Sequence, residues 1–203
     1  MQTVIRQLQA TAAPPPPPSI TPHLIQPLFP ATPPANIAAN LPHVLGALAA
    51  AGLTETPMLL MALATIRAET ESFLPIAEGI SRFNTSPGGH PFDLYDRRAD
   101  LGNQGSPDGA SYRGRGFVQL TGRANYTRYA HELSLDLVGN PNLACEPAIA
   151  ARLLAHFLAA RQAAIHHALA EDNLAAARRL VNGGTHGLDR FTAAYRTGQR
   201  LLQ

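Results

Sequence analysis

The chain has 203 residues, which suits one compact domain with an extension or two very small domains. With 45% hydrophobic residues, 15% charged residues and a net charge of +2, it has enough apolar material for a core, and this composition excludes a disordered chain. A single cysteine, Cys145, excludes an internal disulfide framework and a multi-cysteine zinc site, and no apolar run reaches the roughly 18 residues of a membrane-spanning helix.

The first part of the chain is rich in proline. Ten of the eighteen prolines lie before Ala35, including the unbroken run from Pro14 to Pro18. This composition is typical of an extended polyproline conformation without a core. We therefore predict a proline-rich tail or linker over 1–34, serving as a spacer or as a docking tract for a partner, and a folded domain over 35–203.

Charge and N-terminal composition bear on where the protein acts. All sixteen basic residues are arginines, and the pI of about 9.0 favours an anionic partner such as nucleic acid or a bacterial wall polymer, although a net charge of +2 gives only a weak field. The N-terminus lacks the apolar stretch of a secretory signal peptide. We expect synthesis in the cytoplasm and, for action on a cell wall, release or export by another route.

The rest of the chain reads as mostly helical. Asn40 is a candidate cap for a helix that stops at Gly52, and Thr56 for a second helix that ends at Pro75. Little periodicity is found over 81–115, which predicts a long irregular loop or a small hairpin. Helical patterns resume after Thr121 and cover 147–167, 173–181 and 188–202.

Two glutamates are candidates for acid–base chemistry. Glu69 falls about 80° from the centre of the apolar face of the second helix, at its margin, where partial desolvation suits a general acid. Glu78 follows Pro75, where the chain is free to turn back toward Glu69. Two carboxyls about 6.5–9.5 Å apart serve an inverting glycosidase. The alternatives are an ordinary boundary glutamate and a solvated loop acid.

The densest polar motif is YRGRGFVQLTGRANY, from Tyr112 to Tyr126. Gln119, Thr121 and Asn125 supply neutral donors and acceptors suited to sugar hydroxyls, and a face of Tyr112 is suited to packing on a sugar ring. A strand followed by a helix cap explains part of this pattern, but not the density of polar groups.

This motif belongs to a longer resemblance. AETESFLPIAEG, FDLYDRRADLGN, YRGRGFVQLTGRANY, NPNLA and VNGG follow in order. Together they resemble the chitinases and endolysins of glycoside hydrolase family 19, in its compact bacterial and phage branch, over roughly 36–203. The resemblance implies a mainly α, lysozyme-like domain with the irregular loop or hairpin beside a cleft.

The resemblance also implies roles for individual residues. Glu69 matches the general acid, Glu78 the general base, and Thr121 the residue that positions the attacking water. Gln119 and Asn125 match residues that line the sugar cleft. Asn182 and Arg190 match residues that orient the second carboxylate.

The sequence departs from the family pattern at several points. Many members have a histidine before the acid, where this chain has Ala68. The plant branch places its base further along the chain, which leaves Asp93, Asp96 and Asp100 as alternatives to Glu78. Tryptophan is absent, which points away from insoluble chitin and, with the basic pI, toward the anionic strands of peptidoglycan.

We therefore expect inverting hydrolysis of β-1,4 bonds in peptidoglycan. The alternatives are a chitinase and, with Ala68 as the reason to consider it, a non-catalytic glycan-binding module. We expect a monomer without cofactor, catalytic metal or stable membrane insertion, and an immunity protein or a ligand of the tail as a protein partner. The pairs Arg97-Arg98 and Arg178-Arg179 are interpreted as solvated charge and not as a nucleic-acid interface.

Overall fold

The computed structural model describes residues 20–184 and 186–202, and within them the chain is built of helices joined by irregular segments. The prediction of a mainly α fold is confirmed. The run from Pro14 to Pro18 lies outside the described residues, so the extended tail stays a prediction. The helices are α1 (Pro22–Ile25), α2 (Pro34–Ala50), α3 (Thr56–Glu69), α4 (Asp108–Ser111), α5 (Arg123–Leu133), α6 (Pro147–Ala159), α7 (Gln162–Ala170), α8 (Leu174–Asn182) and α9 (Leu188–Leu201).

Helix α3 forms the centre of the core. Proline stands in its first turn, where a missing N–H costs nothing, and leucine, methionine and alanine dominate its interior. Ten of its fourteen residues are buried, as expected for a helix that is apolar on every side. It packs mainly against α9, while α2 packs against α6. The last residue of α3 is Glu69, which therefore leaves the core at a defined point.

The folded part begins earlier than the predicted boundary at residue 35. Leu28 and Phe29 are buried in the main core, and the ring of Phe29 meets that of Phe73 edge to face at 4.7 Å. The prolines in this segment start short helical turns, because Pro22 follows a Thr21 side chain that accepts a hydrogen bond from the Leu24 amide. Residues 20–34 are thus part of the domain and not of a linker.

Three predicted helix limits are wrong. Asn40 and Pro42 lie inside α2, and the Asn40 amide donates to the Asn36 carbonyl instead of capping a helix start. Helix α3 ends at Glu69 and not at Pro75, because the chain enters the left-handed region at Glu71, with φ of 49°. The long pattern over 147–167 is divided between α6 and α7. The periodicity of apolar residues along the sequence does not indicate these helix ends, because they depend on how the helices pack.

The irregular segment predicted over 81–115 consists of short turns around a minimal hairpin. Isolated antiparallel bridges join Ala77 to Arg115 and Arg115 to Leu120. An ion pair between the buried Asp108 and Arg123 fastens the segment to the start of α5. These contacts join the hairpin to the segment that follows α3.

Within the described residues, no single helix is long and apolar enough to cross a membrane. Helices α6 and α7 together have the length and apolar composition of a span, but they are bent by 67° relative to each other.

Removal of a core aromatic tests whether the N-terminal segment contributes to the fold. We expect Phe29→Ala to lower the free energy of unfolding by about 3–5 kcal/mol, because a fully buried ring leaves a cavity. Phe83→Ala is the matched control, since Phe83 is 74% exposed. Urea denaturation of both variants is the measurement, and equal effects would show that residues 20–34 do not share the core.

The Asp108–Arg123 pair should make stability depend on pH. The hydrogen bond from Arg123 lowers the pKa of Asp108 below its ordinary value. A carboxyl with a depressed pKa stabilises the fold above its unfolded value of about 3.9 and loses that contribution as pH falls through the folded value. We expect thermal unfolding to show Asp108→Asn less stable than wild type at pH 7, with the difference shrinking below about pH 4. A constant difference would contradict this origin.

Candidate active site

Two carboxylates, Glu69 and Glu78, lie at the end of α3 and in the segment that follows it. Glu69 ends α3, and 11% of its side chain is exposed, which places it at the margin of the core as its helical position predicts. Glu78 follows the bridge at Ala77, on the hairpin. Between them, Glu71 and Phe73 adopt left-handed backbone angles, so the chain does not continue the path of α3.

Arg178 forms an ion pair with Glu69. The prediction that Arg178 carries a solvated charge is therefore wrong. Its side chain is fully buried, and Nη2 donates to Oε1 of Glu69 at 2.8 Å. The neighbouring Arg179 is exposed, in agreement with its interpretation as solvated charge. Arg178 lies on the buried face of α8 with Leu174 and Val181. This spacing is visible in the sequence and is the signal that identifies Arg178 as an inward-facing residue.

Three donors surround the carboxylate of Glu78. Oε1 accepts from the Asn84 amide and the Tyr95 hydroxyl, each at 2.9 Å, and Oε2 accepts from the Gly114 amide at 3.2 Å. Glu78 and Gly114 are also joined through the backbone, at 2.7 Å. Both oxygens of Glu78 therefore accept hydrogen bonds, which fix the orientation of its carboxylate.

Sequence reasoning missed both Asn84 and Tyr95. Asn84 is fully buried, and its side chain also bonds the Gly79 carbonyl, which fixes the turn after Glu78. Burial and, secondly, the hydrogen bond to Glu78 raise the pKa of Tyr95 to about 12, so its phenol remains a donor near neutral pH. Both residues lie in the segment without periodicity, where sequence spacing predicts no contacts.

Gly114 is the point where Glu78 and Thr121 converge. A Cβ placed on Gly114 would lie 3.3 Å from Oε2 of Glu78 and 3.3 Å from Oγ1 of Thr121, and only 2.8 Å from Oε1 of Gln119. A side chain at this position would therefore displace the site. The Thr121 hydroxyl donates to the Gln119 carbonyl at 2.8 Å, which leaves its lone pairs able to accept a hydrogen bond from water.

The amides of Gln119 and Asn125 secure the loop that carries Thr121. Gln119, at φ of 49°, donates to the carbonyls of Ile76 and Gly116, each at 3.0 Å. Asn125 donates to the Thr121 carbonyl at 2.8 Å. The donors of both predicted cleft residues thus hold the backbone, and their side-chain carbonyl oxygens are the groups left to meet a ligand.

Tyr112 does not offer a face to a sugar ring. Its side chain is 5% exposed, packs against Tyr126 with ring centroids 5.3 Å apart, and is covered by the guanidinium of Arg123 at 4.7 Å. It belongs to a second, smaller core beneath the hairpin. The predicted binding role is wrong because the same aromatic area is buried by the fold.

Arg190 and Asn182 do not contact Glu78, contrary to the orientation implied by the resemblance. Arg190 donates to Glu71 at 3.1 Å, and Arg67 pairs with the same carboxylate at 2.8 Å. The hydrogen bond from Arg67 is the main cause of a lowered pKa at Glu71. Asn182 donates to the His186 carbonyl at 3.3 Å. Both residues lie on the Glu69 side of the site.

The three alternative bases are held by neighbours of their own. Asp93 accepts from the Ser86 amide and Asp96 from the Gly109 amide, each at 2.8 Å, while Asp100 is paired with Arg98. Glu78 remains the carboxylate that converges with Thr121. Among the described residues, no group of three or more histidine, cysteine, aspartate or glutamate side chains is arranged to hold a metal ion.

Comparison with known proteins gives matches over part of the sequence. No family model matches the chain. A segment of 109 residues, 51% of the chain, is 34% identical to a glycosyl hydrolase family 19 domain-containing protein of Haemophilus influenzae and covers 48% of it. A segment of 38 residues, 19% of the chain, is 53% identical to chitinase 8 of Oryza sativa subsp. japonica and covers 15% of it. The chain therefore spans less than half the length of these curated relatives.

Comparison of structures covers nearly the whole chain. Chitinase C from Streptomyces griseus superposes with a TM-score of 0.61 over 90% of this chain and 76% of its own, at 18% identity. A bacterial family 19 chitinase superposes with a TM-score of 0.62 over 90% of this chain and 94% of its own, at 21% identity. The resemblance to glycoside hydrolase family 19 is thus confirmed, and the chain has the helical fold of the family 19 chitinases.

Proposed function

We propose that the protein is a glycoside hydrolase that cleaves β-1,4 bonds with inversion. The observation that carries this proposal is that Oε2 of Glu78 and Oγ1 of Thr121 both lie next to Gly114, each 3.3 Å from the position of a Cβ on that residue. A water molecule placed between these oxygens donates one hydrogen bond to each, and such a water is the nucleophile of an inverting glycosidase. The surrounding donors support Glu78 as the base.

Each carboxylate then has one task. Glu69 protonates the departing glycosidic oxygen as the bond to the anomeric carbon breaks. Glu78 takes a proton from the water as its oxygen attacks that carbon from the opposite face. The product is a sugar with inverted anomeric configuration, and a proton exchange with solvent restores both carboxyls. Nine residues of straight helix would separate the two groups by about 13 Å. Helix α3 ends at Glu69 and left-handed residues follow it, so the chain is not bound to that separation, which supports joint action of the two groups.

The surroundings of Glu78 support a binding surface for a polymer. Among the described residues, five of the six exposed large hydrophobic side chains fall in the short stretch around Glu78; these are Leu74, Ile76, Ile80, Phe83 and Leu94. A contiguous patch of exposed apolar side chains marks a binding site more often than free surface does. The closeness of these residues to Glu78 in the sequence supports contacts with the apolar faces of successive sugar units.

We infer peptidoglycan strands as the substrate, on walls that the protein reaches after release or export. The absence of tryptophan and the basic pI support this choice. Chitin is the alternative, favoured by the names of the relatives and of the structural neighbours.

Replacement of the two carboxylates tests the mechanism. We expect Glu69→Gln and Glu78→Gln each to lower kcat by about 10²–10⁴-fold while the fold is retained, since an amide neither donates nor accepts the required proton. Glu171→Gln is the control, because Glu171 is exposed at the end of α7, away from both carboxylates. The assay is release of reducing ends from purified walls and from chito-oligosaccharides. Full activity in either site variant would reject its assigned role.

Product analysis tests stereochemistry and substrate together. Early NMR spectra of a chito-oligosaccharide or wall-fragment digest should show the α anomer as the first product, because inversion of a β bond gives α. Mass spectrometry of wall digests should show cleaved sugar bonds and intact peptide amides. Early β product would exclude inversion, and wall binding without new reducing ends would favour a glycan-binding module.

A further inference from the structure

Arg178 occupies an unusual position for a charged residue. Its side chain is fully buried on α8, far along the chain from Glu69, yet its guanidinium reaches that carboxylate. Within the described residues, its Nη1 atom is buried and has no hydrogen-bonding partner. An arginine is rarely buried for stability alone, because desolvating its charge costs as much as a single ion pair returns. The contact therefore calls for a functional explanation.

Hydrogen bonds other than the one to Glu69 hold the guanidinium of Arg178 in one orientation. Nε and Nη2 of Arg178 donate to the His186 carbonyl at 3.1 and 2.9 Å. Because the guanidinium is planar, these two bonds fix the direction in which Nη2 also donates to Oε1 of Glu69. A lysine ammonium has no such plane and does not reproduce this arrangement.

The segment that supplies the His186 carbonyl is itself pressed onto the end of α3. Gly187 has φ of 68°, and a Cβ there would lie 3.2 Å from the Ala68 carbonyl oxygen and 3.3 Å from the Ala68 Cβ. The residue before Glu69 and the residue after His186 are thus in contact. The contact between Gly187 and Ala68 therefore helps to fix the distance between the Arg178 guanidinium, which is bound to His186, and the carboxylate of Glu69.

One oxygen of Glu69 is consequently bound and the other is left open. Oε1 is taken by Arg178, whereas Oε2 makes no hydrogen bond within the described part of the chain. The nearby cation Arg190 is engaged with Glu71 and does not compete for it. We propose that Arg178 is a positioning residue that holds Oε1 of Glu69 so that Oε2 faces the glycosidic oxygen. This inference rests on the proposed function of Glu69 as the acid.

Kinetic analysis of Arg178 variants tests the inference. We expect Arg178→Met to lower kcat by about 10- to 100-fold with KM changed less than about twofold, because a misplaced acid affects the reaction and not the binding of sugars. Arg178→Lys should also lose kcat, since charge without the planar fork does not orient Glu69. Arg179→Met is the matched control on the same helix and should keep the wild-type rate. Unfolding curves establish that each variant is folded.

The double variant separates positioning from general support of the fold. In a Glu69→Gln background, Arg178→Met should lower the residual rate no further, since the carboxylate on which Arg178 acts is gone. An equal loss in both backgrounds would overturn the inference. If Arg178→Met does not fold, Arg178→Lys decides: reduced kcat with intact stability supports positioning, and wild-type kcat overturns it. Full activity of Glu69→Gln alone would instead reject the proposed function.

Discussion

Helix α3 is buried on every side, and the arrangement of the other helices follows from this burial. A helix with ten buried residues out of fourteen has to lie at the centre, and the other helices are arranged to cover it. The polar residues of this helix lie near its ends, and Glu69 is its last residue. The side chain of Glu69 is bound by an arginine that is itself buried, so the same packing that forms the core also holds a carboxyl group at its edge.

The part of the site around Glu78 depends on close approach of side chains to the backbone of Gly114. Gly114 brings the Glu78 carboxylate and the Thr121 hydroxyl to a common point because it has no side chain, and the hairpin bridges hold these segments in register. Tyr95 and Asn84 complete the surroundings of Glu78 from the irregular segment. The two carboxylates thus sit on different supports, one on a rigid helix end and one on a short hairpin fastened by hydrogen bonds.

Several features were predictable because they are local. The start of α3 near Pro57, the marginal position of Glu69 and the glycine-rich block around Thr121 follow from helix periodicity and turn chemistry. The wrong predictions have one cause. Residue type or composition alone suggests the binding role of Tyr112, the role of Arg190 and a linker over 20–34, whereas the surroundings of these residues are supplied by residues distant in sequence. A tyrosine beside polar residues looks the same whether its ring is buried or exposed.

The amino-acid sequence alone indicates the helical class, the position of Glu69 at the margin of an apolar helix face and the polar block that carries Thr121. These features are encoded by neighbours three or four residues apart or by glycine and proline. Only the tertiary structure decided that Arg178 faces Glu69, that Arg190 faces Glu71, and that Gly114 joins Glu78 to Thr121. The physical reason is that periodicity defines which face of a helix turns inward, but the partner on the other side is chosen by the packing of the whole chain.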